Sequence, residues 1–238
     1  MSFKPALVVV DMQIDYCDPV KGKLAVQGGA LDLAVPINEL LAMKGFVVRV
    51  ATMNSPPKNH KAMPHDHNPA KKSVIKLANT KAGSEHEAQE QRLWPAHCQP
   101  GTEGWQIIHE IHQNLIDLVV KKNMHSDVMM YSGFKDTHGN TKNEMAEGAA
   151  SHHLEEELKA RGVTDVFCVG TAGDFCVAHT AIHAAQAGFK TYVLSDVVRN
   201  IDPSGEEFEH QVKEMKKAGV VVTTFKTYSA DVQKVAEL

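Results

Sequence analysis

Three residues in this chain could combine into acyl-transfer chemistry: a thiol, an ammonium and a carboxylate, each lying just beyond an apolar run. Cys176 falls within residues 170–177, GTAGDFCV, between the apolar stretch 166–169 and a helix-like pattern. A thiol attacks as its thiolate, and a helix N-terminus and a nearby ammonium both lower a thiol pKa. Lys122 ends the run 118–122, LVVKK, and could supply that positive charge. Asp11 ends the run LVVV and could take the thiol proton and deliver it to a leaving amine. Backbone N–H groups of the GTAGDFC turn could bind an oxyanion. Taken singly, each residue has an ordinary explanation: a turn cap, a solvated lysine, a small core cysteine.

The three act together only if the fold brings their strand ends to one edge. The pattern predicts a strand at 6–10, then a helix at 30–43 carrying Leu31, Val35, Leu40 and Leu41 and stopped by Gly45. A strand at 46–51 follows. The Pro- and His-rich stretch 54–91 reads as an irregular active-site cover, with a short helix near 85–92. Beyond it come a helix at 104–115, a strand at 118–121 and a helix at 151–160 closed by Gly162. A strand at 165–169, a helix at 174–187 closed by Gly188, a strand at 190–194, a helix at 206–218 and a strand at 220–225 complete the set. Strands that are apolar throughout and alternate with helices predict an α/β three-layer sandwich around a mainly parallel, doubly wound sheet. Ligands bind such sheets beyond the carboxyl ends of the strands, where Asp11, Lys122 and Cys176 all fall. No repeat or linker interrupts the pattern, so residues 1–238 read as a single domain.

Bulk properties narrow the function class. The chain has 238 residues, 43% hydrophobic and 23% charged, with a formal net charge of -4. Its Lys and Arg are dispersed, which argues against a nucleic-acid partner. No apolar run is long enough to span a bilayer, and the N-terminus lacks signal-peptide architecture. The cysteines at 17, 98, 168 and 176 form no CxxC pair, and with that spacing the expected compartment is reducing, the cytoplasm. Neither GxGxxG after the first strand nor GxxxxGK[ST] is present, so no organic cofactor is expected. His109 and His112 give HExH, one residue short of the zinc-protease spacing, and the pair His179 and His183 lacks an evident acidic partner. The oligomeric state is open, a homo-oligomer included.

Four ordered blocks resemble the cysteine hydrolase superfamily of nicotinamidases and isochorismatase-like enzymes, over nearly the whole chain. Residues 10–17, VDMQIDYC, resemble its D-x-Q-x-D-F segment and are followed by GKLAVQGG. Residues 93–98, LWPAHC, with Gly101-Thr102 resemble the nicotinamidase-type WPxHC…GT block, and YSGF at 131–134 resembles its YSxF segment. GTAGDFCV is similar to the nucleophile segment G-x-A-x-D-[YF]-C-V. The resemblance implies an Asp11–Lys122–Cys176 triad, with Lys121 as a neighbouring alternative. It also implies a cis Thr171–Ala172 peptide that aims the Ala172 and Cys176 amides as an oxyanion hole. Tyr16 and Trp94 fall in its substrate-binding blocks. The implied reaction is hydrolysis of a small carboxamide, nicotinamide first, through a thioester on the cysteine.

The resemblance further implies a zinc-like divalent metal that holds the substrate's pyridine nitrogen. Its ligands come from a T-x-D-x-H-P-x-x-H-x-S-F segment and the WPxHC histidine. Here that segment reads Thr52-Met53-Asn54-Ser55-Pro56-Pro57-Lys58-Asn59-His60. Asn54 stands at the aspartate and Pro56 at the first histidine, leaving Asn54, His60 and His97 as candidate ligands. A second register, Asp66-His67-Asn68-Pro69, restores an aspartate. Three outcomes follow: a site rebuilt from His97 with His60, His65, His67 or Asp66; a metal-free pocket for a different amide; or a binding module that hydrolyses nothing.

Overall fold

In the computed structural model the described residues are 3–64, 73–225, 235 and 237. Strand β1 (Pro5–Val10) is buried along its whole length, and a four-residue helix α1 (Ile14–Cys17) follows it. Helix α2 (Ala34–Ala42) leads to β2 (Val48–Asn54), and β3 (Val74–Ala78) pairs antiparallel with β4 (Ala88–Arg92). The chain continues through β5 (Leu118–Lys122), α3 (Leu154–Ala160), β6 (Asp165–Thr171), α4 (Ala178–Gln186), β7 (Lys190–Arg199), α5 (Glu206–Lys217) and β8 (Val221–Thr223).

Six strands form one parallel sheet in the order β5-β2-β1-β6-β7-β8. The alternating side chains of each strand feed two cores. Leu7, Val9 and Phe167 pack with Ile37, Leu40 and Leu41 of α2 on one face. Ala6, Val8, Val10 and Cys168 pack with Leu154, Leu158, Ala181 and Met215 on the other, under α3, α4 and α5. This is the expected three-layer α/β sandwich. The strand order reverses between β1 and β6, and at such a switch point the flanking connections diverge and open a crevice.

Three local expectations are corrected. Residues 88–92 form a strand, not a helix: Ala, Gln, Glu and Arg favour helix intrinsically, but pairing with Val74–Ala78 claims their backbone groups. The cover at 54–91 is therefore a hairpin in part. Residues 104–115 form two single 3₁₀ turns, Glu103–Trp105 and Gln113–Leu115, instead of one helix. The backbone between them docks on the segment after β1, with Ile108 N donating to Met12 O at 3.0 Å and Gln13 bridging Ile107. The helix expected from 174 starts as a widened turn, in which Val177 N reaches back to Ala172 O at 2.9 Å.

Gly170 shows what the switch point demands. Its φ of 111° is a conformation that side chains rarely adopt, and a Cβ there would collide with the Val10 carbonyl. Absence of a side chain lets β1 and β6 close on each other just before Asp11 and Thr171 leave the sheet.

Candidate active site

Asp11 leaves β1 with φ 45°, a left-handed conformation that Asp tolerates better than most residues. Its amide bonds Thr52 O at 3.2 Å, and Thr52 Oγ1 donates to its Oδ1 at 2.7 Å. Thr171 Oγ1 donates to the Asp11 carbonyl at 2.8 Å, tying the end of β6 to the end of β1. Lys122, the last residue of β5, is fully buried, and its Nζ lies 2.8 Å from Asp11 Oδ2. The same ammonium donates to Tyr131 O at 2.8 Å and Cys176 Sγ at 3.3 Å, so its three protons have three partners. Lys121 points to the opposite face of the sheet, with its Nζ 5.2 Å from the Trp105 ring, so Lys122 is the lysine that contacts Asp11 and Cys176. The Thr171–Ala172 peptide is cis.

Charge in this cluster is balanced one against one. Burial would lower the Lys122 ammonium, but Asp11 and Cys176 together push it up, so it stays charged. Burial pushes the Cys176 thiol up to about 12, with Lys122 opposing and the Asp11 carboxylate reinforcing the rise. Burial thus outweighs the lowering that helix position and an ammonium could bring, and the thiol rests neutral beside the Asp11–Lys122 pair. Moving the thiol proton to Asp11 creates the thiolate without adding net charge to a dry site. Iodoacetamide should therefore alkylate Cys176 slowly at neutral pH, with the rate still climbing above pH 9, as followed by mass spectrometry. A titration midpoint below the ordinary thiol value of about 8.5 would refute this charge assignment.

The thiol opens onto a narrow cleft whose lining includes Tyr16, Asn54, Trp94, His97, Phe175 and Cys176. Trp94 packs edge-on against Phe175 with centroids 4.9 Å apart and donates its Nε1–H to the Tyr131 hydroxyl at 3.1 Å. Arg92 sits 4.2 Å above the Trp94 ring, so β4 helps build the wall. Asp174 accepts from the Ile201 and Asp202 amides at 3.0 and 2.7 Å, fixing another wall segment to the turn that carries Cys176.

Sequence reasoning assigned no role to Gln13, Asp15 or Asn123, and all three shape the site. Gln13 clamps the Asn54 backbone: its Oε1 accepts from Asn54 N at 2.7 Å and its Nε2 donates to Asn54 O at 2.9 Å. Asp15 accepts from Cys98 N at 2.6 Å, and a Cβ at Gly104 would strike its carboxylate, so the chain around His97 is pinned to α1. Asn123 donates to Asn54 Oδ1 at 2.6 Å. The D-x-Q-x-D spacing was the one available signal for the first two; nothing marked Asn123.

The described residues do not fit the implied metal. His97 Nδ1 faces Pro95 O at 2.7 Å, and its Nε2 lies 2.9 Å from Asn54 Nδ2 and 2.8 Å from Tyr16 OH. The only acceptor atom of the Asn54 side chain is taken by Asn123. His60, expected as a ligand, spends both ring nitrogens on main chain, on Ala62 N at 3.2 Å and Val128 O at 3.0 Å. No group of three or more His, Cys, Asp or Glu suited to a metal occurs among the described residues. His65, Asp66 and His67, the alternative ligands, lie outside the described residues.

Residues 5–227 match the isochorismatase domain. The chain belongs to the isochorismatase family. Within that family it is 32% identical to a nicotinamidase of Schizosaccharomyces pombe over 228 residues, covering 95% of this chain and 96% of the other. The yeast nicotinamidase bound to the inhibitor nicotinaldehyde superposes with a TM-score of 0.80 at 29% identity, over 93% of this chain and 100% of that one. A Pyrococcus horikoshii pyrazinamidase in complex with zinc superposes with a TM-score of 0.66 at 29% identity, covering 93% and 99%. That relative's structure holds zinc. No helix among the described residues is long and apolar enough to cross a membrane.

Proposed function

We propose that this protein hydrolyses a small aromatic carboxamide, nicotinamide first, to the carboxylic acid and ammonia. The observation that carries the reading is the buried contact of Lys122 with both Asp11 and Cys176 at one end of an aromatic-walled cleft. The names of the relatives support it: S. pombe nicotinamidase and the yeast enzyme with nicotinaldehyde each match nearly the whole chain.

In the proposed mechanism, Asp11 accepts the Cys176 proton as Sγ attacks the amide carbon. The carbonyl oxygen becomes an oxyanion held by the Ala172 and Cys176 amides. Asp11 then returns that proton to the departing nitrogen, the C–N bond breaks, ammonia leaves and a thioester remains. Water attacks the thioester while Asp11 takes its proton. The C–S bond breaks, the acid departs and the proton goes back to Sγ. Lys122 stays protonated throughout and stabilises whichever of Asp11 and Cys176 is anionic. Tyr16 and Trp94 flank the substrate ring.

The test is ammonia release from nicotinamide, with nicotinate identified by chromatography and Cys176→Ala as the blank. Turnover that disappears in the blank is the expected result. No ammonia from nicotinamide, with or without added zinc, would overturn the nicotinamide assignment.

A further inference from the structure

The hydrogen-bond chain through Asn54 and His97, two of the expected metal ligands, has an orientation that can be worked out atom by atom. It starts at Met130, whose backbone N–H must donate, and does so to Asn123 Oδ1 at 2.5 Å. Asn123 Oδ1 is therefore the acceptor, and its Nδ2 donates to Met130 O at 2.8 Å and to Asn54 Oδ1 at 2.6 Å. That fixes the Asn54 amide, whose Nδ2 then faces Tyr16 OH at 3.1 Å and His97 Nε2 at 2.9 Å. At the other end Pro95 O can only accept, so His97 Nδ1 carries the ring proton and Nε2 presents a lone pair. Both ends are anchored in main chain, which leaves no freedom to flip either amide.

Counting protons at the centre gives a surplus. Asn54 Nδ2 brings two and Tyr16 OH one, while among the described residues the local acceptors are a single lone pair on His97 Nε2 and the Tyr16 oxygen. If Tyr16 donates to His97, one Asn54 proton satisfies Tyr16 and the other has no local acceptor. If Asn54 donates to both, the Tyr16 proton is left over. Each arrangement ends with one donor unspent, and Tyr16, Asn54 and His97 all line the cleft that reaches Cys176. A buried donor without a partner is costly, so an acceptor atom entering the cleft is favoured there.

We propose that Asn54, Tyr16 and His97 form a metal-free recognition site for a ring acceptor, an sp² nitrogen or carbonyl oxygen on an aromatic carboxamide whose amide carbon lies against Cys176. The proposal rests on the hydrolase reading above and adds a specificity element to it. Asn54 is the residue that sets the surplus, and Asn123 and Gln13 are positioning residues that hold it.

The experiment measures calorimetric binding of nicotinamide and benzamide to Cys176→Ala protein in EDTA, with metal content checked by elemental mass spectrometry. Benzamide lacks the ring nitrogen and is the more apolar of the two, so a cleft without a ring donor would favour it. The expected result is nicotinamide binding about tenfold more tightly than benzamide with no stoichiometric metal present. Adding Tyr16→Phe should keep the preference, because it removes one donor and one acceptor together. Adding Asn54→Asp should abolish it, because the bond from Asn123 survives while both amide protons go. Equal affinities, benzamide preferred, no binding of either amide, or nicotinamide binding that vanishes in EDTA and returns with zinc would each overturn the proposal. Ammonia release by wild-type protein is scored separately, so a failed hydrolase reading is distinguished from a failed ring-acceptor site.

Discussion

Asp11→Asn should lower turnover of the amide by about 10³–10⁴-fold while making Cys176 easier to alkylate at neutral pH. The two effects pull apart because the proposed mechanism gives Asp11 two functions. As the proton carrier it is needed in both halves of the reaction, and an amide cannot accept the thiol proton or return it to ammonia. As an anion beside the thiol it raises the Cys176 pKa, working with burial against Lys122. The asparagine removes that anion but leaves the Lys122 ammonium 3.3 Å from Sγ with no carboxylate to balance it. Thiolate then becomes the natural counter-ion, and the alkylation profile shifts to lower pH. Fold should survive, since an amide oxygen can still accept the Thr52 hydroxyl that now bonds Oδ1 at 2.7 Å. Steady-state ammonia release and iodoacetamide rates on the same preparation check both halves. Turnover and alkylation falling together would mean that Asp11 only holds the site in shape.

What could be read from the chain in advance follows from how local each signal is. The apolar runs at β1 and β6 have both faces covered, so hydrophobicity alone marks them, and their carboxyl ends locate Asp11 and Cys176. The 104–115 segment misleads because Trp105, Ile107, Ile108 and Ile111 recur at helical spacing. Their burial instead comes from docking across the chain onto Met12 and Gln13. The strand at 88–92 is set by a partner ten or more residues away and has little strand propensity of its own.

The same distinction holds inside the site. A strand-end lysine can be nominated from sequence, but which of Lys121 and Lys122 turns inward depends on the pleat and the register Asn54↔Lys122. Asn54 reads as a lost metal ligand when considered in its own segment. Its meaning changes only once Asn123, 69 positions further on, and His97, 43 further on, are seen to hold both ends of its amide. The thiol pKa follows the same rule. Helix position and a nearby lysine are visible in sequence, whereas complete burial beside a carboxylate is not, and burial is the larger effect.

Lys122→Met tests whether that burial is paired or merely tolerated. Methionine matches the length of the lysine stem but brings no charge, so the Asp11 carboxylate would sit in the core with only the Thr52 hydroxyl as a donor among the contacts described above. Removing one partner of a buried ion pair costs roughly 3–5 kcal/mol, because the remaining charge is uncompensated. The sign of the pH dependence follows from which partner remains. An unpaired buried carboxylate becomes tolerable when it takes up a proton, so the deficit should be largest at neutral pH and shrink as the pH falls. Denaturant unfolding of wild type and variant between pH 5 and 8 measures it. Catalytically, the variant loses the one charge that stabilises the anion on either Asp11 or Cys176, and turnover should fall by roughly 10³-fold. Alkylation of Cys176 should slow as well, the opposite of its response to Asp11→Asn. That reversal separates a lysine that sustains the thiolate from one that only fills space. A Lys122→Met protein that unfolds like wild type and alkylates at the same rate would show that the ammonium contributes neither to stability nor to the thiol.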